Sequence, residues 1–227
     1  MLAFSFKPYI AVIGDIKSSK HLQDRLSLQN KLKNILETLN REYGNDIASN
    51  FMITLGDEFQ GLLKNGRSAV YMMDRIEREL YPVKLRFGIG VGEITTEIQP
   101  SMPLGADGPA YYLARERITT VKQSETKKRT PLRNTAISIQ GHEEISSLLN
   151  TIFILLSELK ENWTGQQVEI MNLYANGEYT QDAIAEKLNV NQSSVQRALA
   201  ASGYYAYREA LDTVSALLSE IREDDHV

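Results

Sequence analysis

The chain has 227 residues, enough for one large domain or two modest ones, and its 42% hydrophobic and 24% charged content excludes general disorder. It contains no cysteine, which excludes a disulfide scaffold, a thiol nucleophile and a cysteine-ligated metal; its three histidines are too scattered for a histidine-rich zinc site. The net charge of −4 is uneven, because residues 160–227 hold five Lys/Arg against eleven Asp/Glu while residues 1–159 hold 20 against 18.

Residues 8–16 are a β-branched run that predicts a buried central strand. Leu22, Leu26, Leu32, Leu36, Leu39 and Tyr43 recur at helical spacing, so 21–43 reads as a long amphipathic helix. Two short apolar segments, 51–55 and 59–63, flank Gly56-Asp57, a pair suited to a two-residue hairpin turn. Helical spacing returns over 67–80, a strand interleaved with glycines over 83–94, and a further helix over 109–121. Residues 122–133 are polar, carry Lys127-Lys128-Arg129 and read as a solvated loop before a last strand at 134–139. This order predicts an α+β sandwich, with helices on one face of a mostly antiparallel sheet.

From about 142 onward the chain reads as helix, beginning with a stripe of Ile145, Leu148, Leu149, Ile152, Leu155, Leu156 and Leu159. The expected organisation is a first domain over 1–141, a connector helix over 142–162, and a helical module with an acidic tail over 163–227. The run Ile152 to Leu156 is far too short to cross a bilayer, and the first residues lack the pattern of a signal peptide. The expectation is a cytoplasmic protein with no membrane partner.

Asp15 falls at the end of the first strand and Asp57 at the hairpin tip. Carboxylates at neighbouring strand ends can converge on a divalent cation, because Mg²⁺ takes hard oxygen ligands and leaves positions open for phosphate oxygens. Lys17, Ser18 and Ser19 follow Asp15 directly and offer amides, hydroxyls and charge for a phosphate tail. The same residues also suit an ordinary loop ending in a helix cap. The alternating glycines Gly88, Gly90 and Gly92 mark a close approach by another backbone or by a ligand.

Three segments carry a resemblance: Ala11-Val12-Ile13-Gly14-Asp15-Ile16, Ile53-Thr54-Leu55-Gly56-Asp57-Glu58-Phe59, and Leu85-Arg86-Phe87-Gly88-Ile89-Gly90-Val91-Gly92. In this order they resemble successive signatures of class III nucleotidyl cyclases, and Gly-Asp-Glu-Phe also resembles the hairpin of diguanylate cyclases. The resemblance covers roughly residues 8–120. It implies a ferredoxin-like, nucleotidyl-cyclase-type sandwich, with Asp15 and Asp57 as ligands of Mg²⁺ or Mn²⁺ that position a nucleotide triphosphate. Over the whole chain, Gly14 to Ser19, Leu55 to Gly61 and Asp107 to Arg117 resemble the SatD family of bacterial proteins. That resemblance implies a cyclase-like domain joined to a helix-turn-helix, without supplying a reaction.

The chain also departs from the cyclase pattern. Where cyclases place an asparagine and then an arginine on one helix to stabilise transferring phosphate, this chain has Tyr112 and Glu116, with Arg115 and Arg117 on either side of the latter. No clear lysine/aspartate pair for reading a purine base is present. Arg115 is the expected phosphate partner on this helix, and a surface salt bridge is the ordinary alternative for either arginine.

In the C-terminal part a helix over 166–174 stops at Asn176-Gly177, and Thr180 caps a short helix over 181–188. Asn189-Val190-Asn191 turns the chain into a further helix from Gln192. Small Ala185, with Leu188, Val190 and Val195 between the helices, is the pattern a helix-turn-helix needs. It resembles the winged or sigma-region-4-like motif of bacterial regulators. Gln192, Ser193, Ser194, Gln196 and Arg197 are then the expected contacts with double-stranded DNA. A helical bundle for dimerisation or docking is the alternative, favoured by the acidic balance of this part.

The sequence therefore predicts a regulator that binds nucleotide and metal, acts as a homodimer and binds DNA. The rival expectation is a metal-dependent nucleotidyl cyclase or NTP-cleaving enzyme whose helical module serves oligomerisation.

Overall fold

The computed structural model describes residues 2–17, 25–127, 129–175, 177 and 179–222. Strand β1 (Tyr9–Ile16) is buried along its whole length, as its unbroken apolar run requires, and lies in the middle of a sheet of order β2-β3-β1-β4-β5. It pairs antiparallel with β3 (Glu58–Leu63) on one side and β4 (Leu85–Gly92) on the other. Edge strand β2 (Ile47–Leu55) is antiparallel to β3, with register shifts along the pair; β5 (Thr135–Ile139) is parallel to β4. The parallel pair needs a crossover, which α3 (Pro109–Ser124) supplies.

Alternation along β1 sorts the two faces of the sheet. Ile10, Val12 and Ile16 join a large core with α1 (Arg25–Glu42), α2 (Ala69–Leu80) and α4 (Glu143–Glu161). Tyr9, Ala11 and Ile13 join a smaller core with Ala110, Tyr111, Ala114 and Ile118 of α3. Helices thus cover both faces, where the order of elements predicts one. Strand β4 permits the close dock of α3: a Cβ at Gly88 would sit 2.2 Å from the Ala114 carbonyl oxygen, and one at Gly90 2.1 Å from that of Ala110. The glycines therefore serve the approach of a helix backbone. Helix α3 also runs past residue 121 to Ser124, which places Lys122 on the helix instead of in the expected loop.

Helix α4 packs Leu149, Phe153 and Leu156 toward the sheet but leaves Leu148 and Leu155 exposed, so the expected stripe is split between core and surface. Helices α5 (Gly165–Ala175), α6 (Gln181–Leu188), α7 (Gln192–Ala201) and α8 (Tyr204–Leu218) complete the described chain. Helix α8 folds back onto α2. The Tyr207 hydroxyl donates to Asp74 Oδ1 at 2.8 Å, and Ser215 Oγ donates to the Arg67 carbonyl at 2.6 Å. Trp163 stacks edge-on against Tyr207 and donates its indole N–H to the Ser202 carbonyl at 2.8 Å. On α2 the buried pair Asp74–Arg78 is closed at 2.9 Å, and Arg78 Nη1 reaches Asn172 Oδ1 of α5 at 2.7 Å. One hydrophobic cluster runs from the sheet through α2 into α5–α8. No described helix is long and apolar enough to cross a membrane.

Candidate functional site

The hairpin between β2 and β3 turns on Gly56-Asp57, with Gly56 at φ +66°, a backbone state that favours glycine. The next residue, Glu58, is the cross-strand partner of Asp15 at the end of β1. Asp15 is buried, and its Oδ2 accepts from Arg86 Nη1 at 2.6 Å and lies 3.2 Å from Lys122 Nζ. Arg86 comes from β4, where it is the register partner of Asp15, and Lys122 from the last turn of α3. Arg115, two helical turns before Lys122, holds Glu58 through two bonds of 2.5 and 2.8 Å.

Glu125, which caps α3, completes the cluster. It accepts from Arg86 Nη2 at 2.7 Å and pairs with Lys17 Nζ at 2.6 Å. Burial works to raise the Glu125 carboxyl pKa, but the hydrogen bonds from Arg86 and Lys17 outweigh it and hold the pKa below its ordinary value. Lys17 is anchored as well through its backbone N–H, which donates to the Lys84 carbonyl at 2.9 Å. Ser18 and Ser19 lie outside the described residues.

The structure thus brings Asp15, Lys17 and Arg115 into one strand-end cluster and puts Asp57 one residue from Asp15's cross-strand partner. Arg117 faces another way: its Nη2 binds Glu116, and its Nε is buried without a hydrogen-bond partner. Tyr112, at the position of the cyclase asparagine, is exposed and donates to Asp107 at 2.7 Å. Sequence reasoning passed over Glu58, Arg86, Lys122 and Glu125 as site members. Glu58 and Arg86 stand inside the quoted motifs, and Lys122 lies seven residues from Arg115 on the same helix face.

Among the described residues no three Asp, Glu, His or Cys side chains gather to hold a metal. The donors present at the strand ends are hard carboxylate oxygens, which fit Mg²⁺ or Mn²⁺ when phosphate oxygens or water complete the shell. In the structure those carboxylates are neutralised by side-chain cations, Asp15 by Arg86 and Lys122 and Glu58 by Arg115.

In the C-terminal part, Thr180 Oγ1 accepts the Ala183 N–H at 3.2 Å and caps α6. Asn189, left-handed at φ 52°, ends that helix and turns the chain toward α7. Ile184, Ala185, Val195 and Leu199 are buried between the helices. Gln192, Ser193, Gln196 and Arg197 are exposed and Ser194 is half-buried, so α7 turns its N-terminal polar face to solvent. Arg197 bonds back to the Ser193 carbonyl at 3.2 Å, and Gln192 to Gln181 of α6 at 2.9 Å. Lys187 of α6 sits over the Tyr179 ring.

The model of the SatD family matches residues 9–218. The chain belongs to the SatD family. No curated protein matches this SatD-family chain. Among solved structures, it is similar to a bacterial light-regulated adenylyl cyclase at 16% identity, over 62% of its own length and 79% of that chain, with a TM-score of 0.44. It is also similar to the adenylyl cyclase CyaB from P. aeruginosa at 16% identity, over 63% and 82% of the two chains, with a TM-score of 0.42. A third likeness is to the guanylate cyclase domain of RhGC from Catenaria anguillulae in complex with GTP, at 16% identity over 52% and 75%, TM-score 0.38.

Proposed function

We propose that this SatD-family chain is a bacterial regulator in which a cyclase-like domain over about 1–141 binds a nucleotide with Mg²⁺ or Mn²⁺, and the helices after residue 163 bind double-stranded DNA as a homodimer. The observation that carries the first half is the buried Asp15 carboxylate beside the Asp57-Glu58 hairpin, held by Arg86 and Lys122, with Arg115 on the neighbouring Glu58 and Lys17 on Glu125. Asp15 and Asp57 are the proposed ion ligands; Lys17, Ser18, Ser19 and Arg115 are the proposed phosphate partners. When bound, the ion supplies charge neutralisation and a fixed orientation of the phosphates. Arg86 stays anchored on Glu125 and keeps the β4 edge of the site positively charged.

The second half is supported by the solvent-facing Gln192, Ser193, Gln196 and Arg197 at the start of α7, side-chain types that pair with base edges and phosphates. A single α7 gives modest affinity, and two related by a dimer axis read two half-sites. Ligand binding at the strand ends biases the spacing of the two α7 helices. The buried Asp74–Arg78 pair supports that link, because it ties α2 to both α5 and α8.

The test incubates the protein with each of the four NTPs and Mg²⁺ or Mn²⁺, and identifies products and retained ligand by mass spectrometry. Retained, unchanged nucleotide that is lost in Asp15→Ala and Asp57→Ala is the expected result. A cyclic nucleotide or pyrophosphate lost in Asp57→Ala would make the chain an enzyme instead. For DNA, the probe is double-stranded DNA carrying the protein's own promoter region. Binding undetectable at low salt, or unaffected by Gln196→Ala and Arg197→Ala, would sink the second half.

A further inference from the structure

The carboxylates at the strand ends are less exposed than two of the cations that hold them. The side chains of Asp15 and Glu58 are 9% and 17% exposed, against 41% for Lys122 and 50% for Arg115. Arg115 and Lys122 lie two turns apart on α3, and Asp15 and Glu58 face each other across β1 and β3. One helix therefore lays two cations on two carboxylates from adjacent strands. The close dock of α3 on Gly88 and Gly90 fixes how near they come. Arg86 differs from both, being less exposed and holding Glu125 through both nitrogens of its fork.

Asp15 Oδ2 is shared by Arg86 Nη1 at 2.6 Å and Lys122 Nζ at 3.2 Å, and a divalent ion that reaches Asp15 alone must drive off Lys122, the more distant and more exposed of the two. It then sits beside an ammonium and guanidinium groups that have lost part of their counter-charge, and like charges in a partly buried cluster repel. A polyphosphate arriving with the ion removes this repulsion, because the released cations become charge-assisted donors to its oxygens. We propose that Lys122 and Arg115 are resident counter-ions that make divalent-cation binding at Asp15 depend on a polyphosphate: the ion takes the carboxylates as the two side chains move to the phosphates. The proposal rests on the metal-and-nucleotide reading given above and adds its coupling. Each ligand raises the affinity for the other by one shared factor.

The experiment compares wild type, Lys122→Gln and Asp15→Asn with two probes: Mn²⁺ alone, and a preformed 1:1 complex of Mn²⁺ with inorganic tripolyphosphate. Bound Mn²⁺ is read by electron paramagnetic resonance. Wild type is expected to bind the complex at least about tenfold more tightly than Mn²⁺ alone, within the usual span of site–site coupling. Lys122→Gln is expected to bind Mn²⁺ alone about three- to fivefold more tightly, the scale of a lost exposed ion pair, and to bind the complex more weakly. Opposite signs for the two probes separate this role from a structural one, since a damaged site loses both. Asp15→Asn should lose both probes. The proposal is overturned if Lys122→Gln leaves both affinities unchanged, or lowers both, while Asp15→Asn still abolishes them. If wild type binds neither probe, the underlying metal reading falls and the coupling falls with it.

Discussion

Individual ionisable side chains define both ends of this molecule's polar interior. At the strand ends, Glu125 has a lowered pKa because the hydrogen bonds from Arg86 and Lys17 prevail over burial. A carboxyl whose folded pKa lies below its unfolded value contributes stability above the ordinary carboxylate range, near 4.5, and loses it as the pH falls through the folded value. Urea unfolding at pH 6 and pH 4 should therefore show a loss of stability on acidification that is smaller in Glu125→Gln. An identical loss in the variant would remove Glu125 from the account. At the α2–α8 junction, burial and the nearby Asp74 push the Tyr207 hydroxyl pKa well above 10, so it stays a protonated donor to that carboxylate. Tyr207→Phe deprives a buried carboxylate of one donor and should destabilise the fold by about 1–3 kcal/mol in urea. A change within error would mean that Arg78 alone satisfies Asp74.

At the scale of elements, the contact that positions the candidate site is α3 on β4. A methyl group at residue 90 would meet the Ala110 carbonyl oxygen at 2.1 Å and the Ala114 nitrogen at 2.4 Å, both of them backbone atoms with little room to yield. Gly90→Ala should cost about 3 kcal/mol, the upper part of the usual overpacking range, and lift Arg115 and Lys122 from their carboxylates. A thermal midpoint equal to wild type would show that the helix tolerates a shift.

The strands and helices themselves were legible, because periods of 2 and 3.6 are written locally in runs such as 8–16 and 67–80. The side of the sheet that α3 covers was not legible. It depends on β5 joining β4 in parallel, a pairing across the whole helix that no local pattern encodes. The site followed the same division. Asp15 and the Asp57-Glu58 turn stood in recognisable motifs, whereas Lys122 and Glu125 enter only through the docking register of α3 and its extra turn beyond residue 121.

Over the whole molecule, the sheet and the C-terminal helices share one hydrophobic cluster, and the polar contacts of α2 bridge them. In the proposed regulation this shared packing is the route from the strand ends to α5 and α8. The acidic balance of residues 160–227 works against generic attraction to phosphate backbones, so DNA affinity here should be selective and depend only shallowly on added salt. The most direct measurement of the central claim is the affinity of the full chain for its own promoter DNA, by fluorescence anisotropy at low salt, with and without NTP and Mn²⁺. The account predicts a several-fold change in affinity on adding the two together, and no change in Asp15→Asn. DNA affinity that is absent, or that is the same with and without nucleotide and metal in wild type, would contradict it.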